Sequence, residues 1–221
     1  MSQPSSTSQA GNGMYVQYGC GLCSPDGWLN YDVSPMLRLQ RLPVLGKFAP
    51  AGQFGKFPKS VRVGDIIKGL PLTPGSVDVA YCSHTLEHLS LADFRIALRN
   101  TYAMLKPGGL FRFVLPNLKQ IAQDYLESDD PDAAFKFCGT LGMGDEERKR
   151  GLRGMVREVL GNARHRWMWD ERSLETELKK AGFTEIRRAA KGDSGLAALD
   201  AVEDAHRWDR LAIGMQAKKP A

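Results

Sequence analysis

Ser76-Val-Asp-Val-Ala-Tyr-Cys-Ser-His-Thr-Leu-Glu-His-Leu89 decides how this chain folds. Val77 to Cys82 is a near-continuous apolar run, which suits a strand buried on both faces of a parallel sheet. Ser90 follows with Asp93 three residues on, a capping-box-like helix start with Asp in place of Glu. Phe94, Ala97, Leu98, Thr101, Tyr102 and Leu105 then recur with helical period. Lys106-Pro-Gly-Gly109 predicts the stop, and Leu110 to Leu115 predicts the next strand, ending at Pro116. Strand, helix and strand in that order predict a parallel crossover.

The pattern extends both ways. Upstream, Met14 to Tyr18, Trp28 to Val33 and Ser60 to Val63 read as strands, ending at Gly19, near Asp32 and at Gly64-Asp65. Pro35 to Ser60 has room for one short helix, Pro35 to Arg41, and is otherwise a long connection of the kind that is functional or mobile. Downstream, Asp145 predicts the cap of a helix with Leu152, Met155, Val156, Val159 and Leu160 inward. Asp170 predicts a second, with Leu174, Leu178 and Ala181 inward and Gly182 as its stop. Thr184 to Ala190 and Leu211 to Ala217 complete the strands. The alternation in the last one predicts one exposed face. The fold expected is α/β, on a mainly parallel sheet with an antiparallel edge.

The chain has 221 residues, is 43% hydrophobic and carries a formal net charge of +5. That is one domain with a real core. Met1 to Gly13, rich in Ser, Gln and Gly, predicts a flexible tail without the cationic-then-apolar pattern of a signal peptide. Residues 14–221 form the domain, with 34–60 and 117–169 as insert or cover segments. No run approaches the roughly 20 apolar residues of a membrane helix, and a cytoplasmic setting is the default expectation. The 4 cysteines make no disulfide framework. Cys20-Gly-Leu-Cys23 has no second pair to complete a zinc site, so no metal is expected from it.

Ligands of open α/β sheets sit beyond the C-terminal ends of the strands. Gly19-Cys20-Gly21, Asp32, Asp65 and Ser83-His84 all follow predicted strands, so parallel strands bring them to one edge. The glycines allow close backbone approach to a ligand. Asp32 can accept hydrogen bonds from both hydroxyls of a ribose, and Asp65 from an adenine amino group. Ser83 and His84 would floor the reacting end. The edge suits an adenosine-containing cofactor. Gly19-x-Gly21 alone also suits a nicotinamide-dependent oxidoreductase, although Ser24 stands where the third Gly of that fingerprint belongs.

These residues, with Leu86-Glu-His-Leu89 and Leu105-Lys-Pro-Gly-Gly109, resemble class I S-adenosylmethionine-dependent methyltransferases. Gly27-Trp-Leu-Asn-Tyr-Asp32 and His165-Arg-Trp-Met-Trp-Asp170 resemble a bacterial subgroup whose members often occur with surface-polysaccharide or glycan-modifying genes. The resemblance runs from about Tyr15 to Lys218. It implies a Rossmann-like seven-stranded sheet with an antiparallel last strand, and S-adenosyl-L-methionine as cofactor. It assigns Gln17, Gly19, Cys20, Gly21, Asp32, Asp65, Ile66, Ser83 and His84 to cofactor binding. Family members usually carry an acidic residue where Gln17 stands, to hold the methionine amino group. Only Gly19 to Gly27 separate the first two strands, where a parallel crossover normally needs a dozen residues or more. The first crossover is therefore expected to be a bare loop or a single turn. Gln17 and this shortening motivate a further alternative, a non-catalytic cofactor-binding partner or regulatory protein.

Methyl transfer to a hydroxyl benefits from a base with a pKa near neutrality, which makes His84, His88 and His165 the catalytic candidates. His84 and His88, four apart, are expected on one face of a helix start. The two Trp of the 165–169 stretch either pack into the core or bind a ring. Residues 1–60 hold 5 basic and 2 acidic residues, and 144–192 hold 13 and 9. That localised excess predicts an anionic small-molecule or glycan-type acceptor, such as a nucleotide-sugar-linked one. No nucleic-acid motif accompanies it. The arginines from Arg148 to Arg157 read as a solvated helix face or a peripheral contact with anionic lipid.

Overall fold

The computed structural model describes residues 13–44, 46, 55–143 and 164–221. The expected tail before Gly13, the basic helix after Asp145 and parts of both cover segments lie outside the described residues. Among the described residues, seven strands form one sheet: β1 (Tyr15–Tyr18), β2 (Trp28–Asp32), β3 (Arg62–Val63), β4 (Val77–Ser83), β5 (Leu105–Pro116), β6 (Thr184–Ala189) and β7 (Ala212–Lys218). Their order is β3-β2-β1-β4-β5-β7-β6. The pairings within β1–β5 are parallel, and β7 runs antiparallel to β5 and β6. The helices are α1 (Pro35–Gln40), α2 (Leu91–Met104), α3 (Leu118–Leu126), α4 (Ala133–Thr140), α5 (Glu171–Lys180) and α6 (Ala197–Asp200). The α/β class and the antiparallel edge are as the sequence predicts. No helix among the described residues is long and apolar enough to cross a membrane.

The caps predicted at Ser90 and Asp170 form. Ser90 Oγ accepts from the Asp93 amide, and Asp170 and Ser173 make a reciprocal capping box at α5. Three expectations need correction. Lys106 to Gly109 do not stand outside the sheet but belong to β5, because Leu105 already pairs with Val77 and an irregularity follows. The Gly108 amide also donates to Lys219 O, and the Lys219 amide to Gly109 O, which holds the stretch against the C-terminal end of β7. The third strand shrinks to two residues. The last strand has no open face, for Ala212 through Met215 are all buried.

The two faces of the sheet are covered in different ways. On one, Val16, Tyr18, Ala80, Phe111, Phe113 and Met215 pack against Phe94 and Leu98 of α2 and Leu174 and Leu178 of α5. On the other, Tyr15, Trp28, Val79, Tyr81 and Leu110 pack against Leu199, Val202 and Trp208 from the β6–β7 connection. A Cβ on Gly214 would come within 2.1 Å of the Trp208 ring, so only glycine lets that ring lie on β7. Trp28 Nε1 donates to Ala198 O at 3.2 Å and Trp208 Nε1 to the Tyr81 hydroxyl at 3.1 Å.

Arg112 fastens this cover. It points from β5 into the second face with none of its side chain exposed. Its guanidinium donates to Glu203, which is equally buried, to Asp193, to the Gln216 side chain and to Ala190 O, and lies 4.8 Å from the Trp208 ring centre. Glu203 in turn accepts from the Gly192 amide at 2.8 Å.

The first crossover is the expected bare loop with a single turn, Cys23 N–H to Cys20 O at 3.0 Å. Two buried amides hold it in place of a helix. Gln17 Nε2 donates to Cys23 O at 3.0 Å and to Asn30 Oδ1 at 2.5 Å. Asn30 Nδ2 donates to Pro25 O and Trp28 O.

Removing one partner of a buried ion pair leaves an uncompensated charge, so Glu203→Ala should lower stability by about 3–5 kcal/mol in urea unfolding. The double change Arg112→Met with Glu203→Leu should recover much of that loss. Equal losses for the single and double variants would show that the ion pair does not fasten the cover.

Candidate functional site

The strand-end residues converge as parallel pairing requires. Gly19 and Gly21 both lie in the left-handed region, at φ +63° and +55°. A Cβ on Gly19 would sit 2.1 Å from Thr85 Oγ1, whereas one on Gly21 would meet open space. The loop after β1 therefore lies directly against the residues after β4. Asp32 latches the same loop: its Oδ2 accepts from the Gly21 amide at 2.9 Å and its Oδ1 from the Ser34 amide at 2.8 Å. Asp32 O also accepts from the Gly64 amide, which ties the end of β3 to that of β2.

Asp65 and Ile66 lie just beyond β3. Asp65 Oδ1 closes a local turn by accepting from the Ile67 amide at 3.0 Å. Ile66 is buried in the main core, and its carbonyl accepts from Asn100 of α2 at 2.7 Å. Cys20 packs with Leu37 and Val61. Burial pushes its thiol well above the ordinary range, helped by the nearby Asp32 charge, so it is poorly suited to thiolate chemistry. Gln17 does not join the cluster; its amide nitrogen is engaged inside the crossover.

Beyond β4 the chain turns sharply. The His84 amide donates to Val114 O, and His84 takes φ +46°, a conformation costing a non-glycine residue roughly 1–2 kcal/mol. Leu86–His88 form a single 3-10 turn rather than the start of a longer helix. Leu86 anchors in the core and Glu87 is fully buried. His84 and His88 then flank Glu87, with His84 Nδ1 3.3 Å and His88 Nε2 4.0 Å from Glu87 Oε1.

The Trp loop folds over this turn. The Arg166 and Trp167 amides both donate to Glu87 O, at 2.7 and 3.2 Å. Trp169 is buried against Phe94, ring centres 4.0 Å apart, a pair worth about 0.5–1.5 kcal/mol beyond its burial. Trp169 is thus a core anchor, while Trp167 stays 43% exposed. The anchor sets the His165 ring 5.1 Å from that of His88. All three candidate bases therefore meet around one carboxylate.

Their surroundings differ. Burial opposes protonation of His84, but the Glu87 carboxylate and the Arg207 carbonyl outweigh it and raise its pKa. Burial lowers the pKa of His165, overcoming the attraction of Glu87. The sequence did not single out Thr85, Asn30, Asn100 or Arg207. Glu87 was visible within Leu86-Glu-His-Leu89, and the spacing His84-x-x-Glu87-His88 is the signal that it is shared by two histidines.

A family model described as "Methyltransferase domain" matches residues 14–187. No curated protein matches the chain. Among solved structures, a SAM-dependent methyltransferase from Archaeoglobus fulgidus is 17% identical at TM-score 0.47, with 95% of this chain and 87% of that one covered. Haemonchus contortus phosphoethanolamine N-methyltransferase 2 in complex with S-adenosyl-L-methionine is 15% identical at TM-score 0.48, with 95% and 49% covered. The CurJ carbon methyltransferase is 12% identical at TM-score 0.48, and this chain spans 49% of its length.

Gly21→Ala should cost about 1–2 kcal/mol, the left-handed penalty alone. Gly19→Ala should cost more, since its methyl also meets Thr85. Thermal unfolding of the two variants checks the ranking, and equal losses would mean that the loop does not abut Thr85.

Proposed function

The chain belongs to the methyltransferase domain family, and we propose that it is a catalytically active S-adenosylmethionine-dependent methyltransferase acting on an anionic acceptor. One observation carries the donor side. The ends of β1, β2 and β4 meet in a glycine cradle that is open over Gly21, next to Ser83, whose hydroxyl is buried without a partner among the described residues. The residues fit the group the family implies. Gly19 to Gly21 would receive the amino-acid part, Asp32 the ribose, and Asp65 with Ile66 the base, while Ser83 and His84 would floor the methyl. Asp32 can do this while keeping its two loop hydrogen bonds, because each carboxylate oxygen has a second lone pair.

Bound S-adenosylmethionine supplies a methyl on a cationic sulfur, already a good leaving group. What the chain must then supply is mainly alignment of the acceptor with that methyl. The wall of His84, His88 and His165 is the polar surface beside the donor cradle and the place for the acceptor. One basic stretch flanks this wall and another lies beside the first crossover. Lys56 and Lys59 lie in the segment that packs on the first crossover, where Ser60 meets Ser24. Arg164 and Arg166, both exposed, flank His165 and lead to the exposed Trp167. Positive charge beside an exposed indole suits a phosphorylated or carboxylated sugar, so a glycan- or nucleotide-sugar-linked acceptor is the class we favour. All four cysteines are free thiols, as a cytoplasmic setting allows.

Calorimetric titration should show binding of S-adenosylhomocysteine and none of NAD. Asp32→Ala should weaken that binding by at least ~10-fold, about the 1.4 kcal/mol of one good hydrogen bond to a charged group. Binding of NAD alone would overturn the proposal. Methyl transfer to none of a panel of phosphorylated, carboxylated and neutral sugars would favour the non-catalytic alternative.

A further inference from the structure

Glu87 is not explained by methyl transfer. Its side chain has no exposed surface, and neither carboxylate oxygen receives a well-formed hydrogen bond from the described residues. A buried charge in that state is strongly disfavoured unless something positive meets it. His88 Nδ1 lies 3.1 Å from Arg164 O, and His84 Nε2 lies 3.0 Å from Arg207 O. A carbonyl only accepts, so each of those nitrogens carries the hydrogen. The other ring nitrogens, His88 Nε2 and His84 Nδ1, both face Glu87 Oε1. His165 adds Nδ1, which is buried and has no partner among the described residues. A buried carboxylate and ring nitrogens of two partly buried histidines, His88 and His165, thus converge.

We propose that Glu87, His88 and His165 bind one first-row divalent transition-metal ion, with His84 beside the carboxylate. One ligand atom from each of the three lies within 4.8 Å of the others. Metal–ligand bonds of about 2.0–2.2 Å place tetrahedral donors roughly 3.3–3.6 Å apart, so modest side-chain rotation closes the set. The His88 ring N–H held by a backbone carbonyl is the outer support that metal-binding histidines commonly have. Mixed imidazole and carboxylate donors suit Zn²⁺, Mn²⁺ or Fe²⁺. Mg²⁺ and Ca²⁺ prefer oxygen alone.

The cradle adjoins this site, because Thr85, which Gly19 abuts, lies between His84 and Leu86. On the methyl-transfer reading, the ion would hold an oxygen of the acceptor beside the donor methyl. That role rests on the reading; the metal binding does not.

The full chain, stripped with a chelator, should bind one Zn²⁺ in calorimetry and develop ligand-field absorption with Co²⁺. Glu87→Gln, which is isosteric, and His165→Ala should each weaken Zn²⁺ binding by at least ~100-fold, at or beyond the range of outer-support changes. Cys23→Ser and Cys138→Ser should leave it unchanged. Circular dichroism would establish that each variant is folded. Should Glu87→Gln fail to fold, X-ray absorption of the Zn²⁺-loaded native protein decides instead, with nitrogen and oxygen ligands expected. Absence of stoichiometric binding, sulfur ligands, or binding that survives Glu87→Gln would overturn the proposal. S-adenosylhomocysteine binding, titrated in parallel, keeps the two ideas apart: a chain that binds it but no metal loses this inference alone.

Discussion

The Arg112–Glu203 ion pair, buried on both sides, is the constraint on which the rest of the sheet depends. The first crossover is too short to place a helix over β1 and β2. An uncovered sheet face would expose Tyr15, Trp28, Val79, Tyr81 and Leu110 to water. The chain instead covers that face from its C-terminal end, with the β6–β7 connection. A cover of short turns and one four-residue helix has few apolar anchors beyond Leu199, Val202 and Trp208. It is held by directional contacts: a guanidinium with four acceptors, and indole N–H groups of Trp28 and Trp208. Buried ion pairs are weak sources of net stability but strong sources of geometry. Here the geometry matters because Arg207, in the same connection, supplies the carbonyl that orients His84.

The cover and the candidate site are therefore one mechanical unit. Arg112 holds the connection, the connection orients His84, and His84 lies beside Glu87. From the opposite side, Trp169 packed against Phe94 holds the 164–169 loop, and that loop brings in His165 and the Arg164 carbonyl that orients His88. Glu87 O, accepting the Arg166 and Trp167 amides, is where the two meet. Buried anchors on two sides thus fix side chains that themselves reach the rim of the sheet. That is the arrangement a site needs when alignment supplies most of the catalysis.

Much of this was legible in residue pattern. The apolar run at Val77, the helical period from Phe94 and the caps at Ser90 and Asp170 are local signals, set by burial and by unsatisfied amides near the chain itself. So were the strand-end residues, because parallel strands must end at one edge. What could not be read is what depends on distant partners. The alternation at β7 implies one wet face, yet Trp208 covers it. Lys106-Pro-Gly-Gly109 carries every mark of a turn, but the C-terminal strand end captures it. Arg112 within an apolar strand looks like a solvent-facing residue until Glu203, far along the chain, meets it. The period in α3 and α4 is short and interrupted, so those helices needed the fold to be seen.

The histidines show the same division at the level of chemistry. Spacing placed His84 and His88 on a common side, but as helix neighbours. The positive φ of His84 and the 3-10 turn after it instead place the two rings on either side of Glu87, one residue turned into the core between two turned to the rim. That reversal changes what the residues can do. Histidines along a helix face would act one at a time, as acids or bases. Histidines arranged around a buried carboxylate share its field, so a ligand bound at one is felt by the others. Whatever cation or acceptor enters there must satisfy Glu87 first, and the specificity of the site should follow from that requirement more than from the surface charge around it.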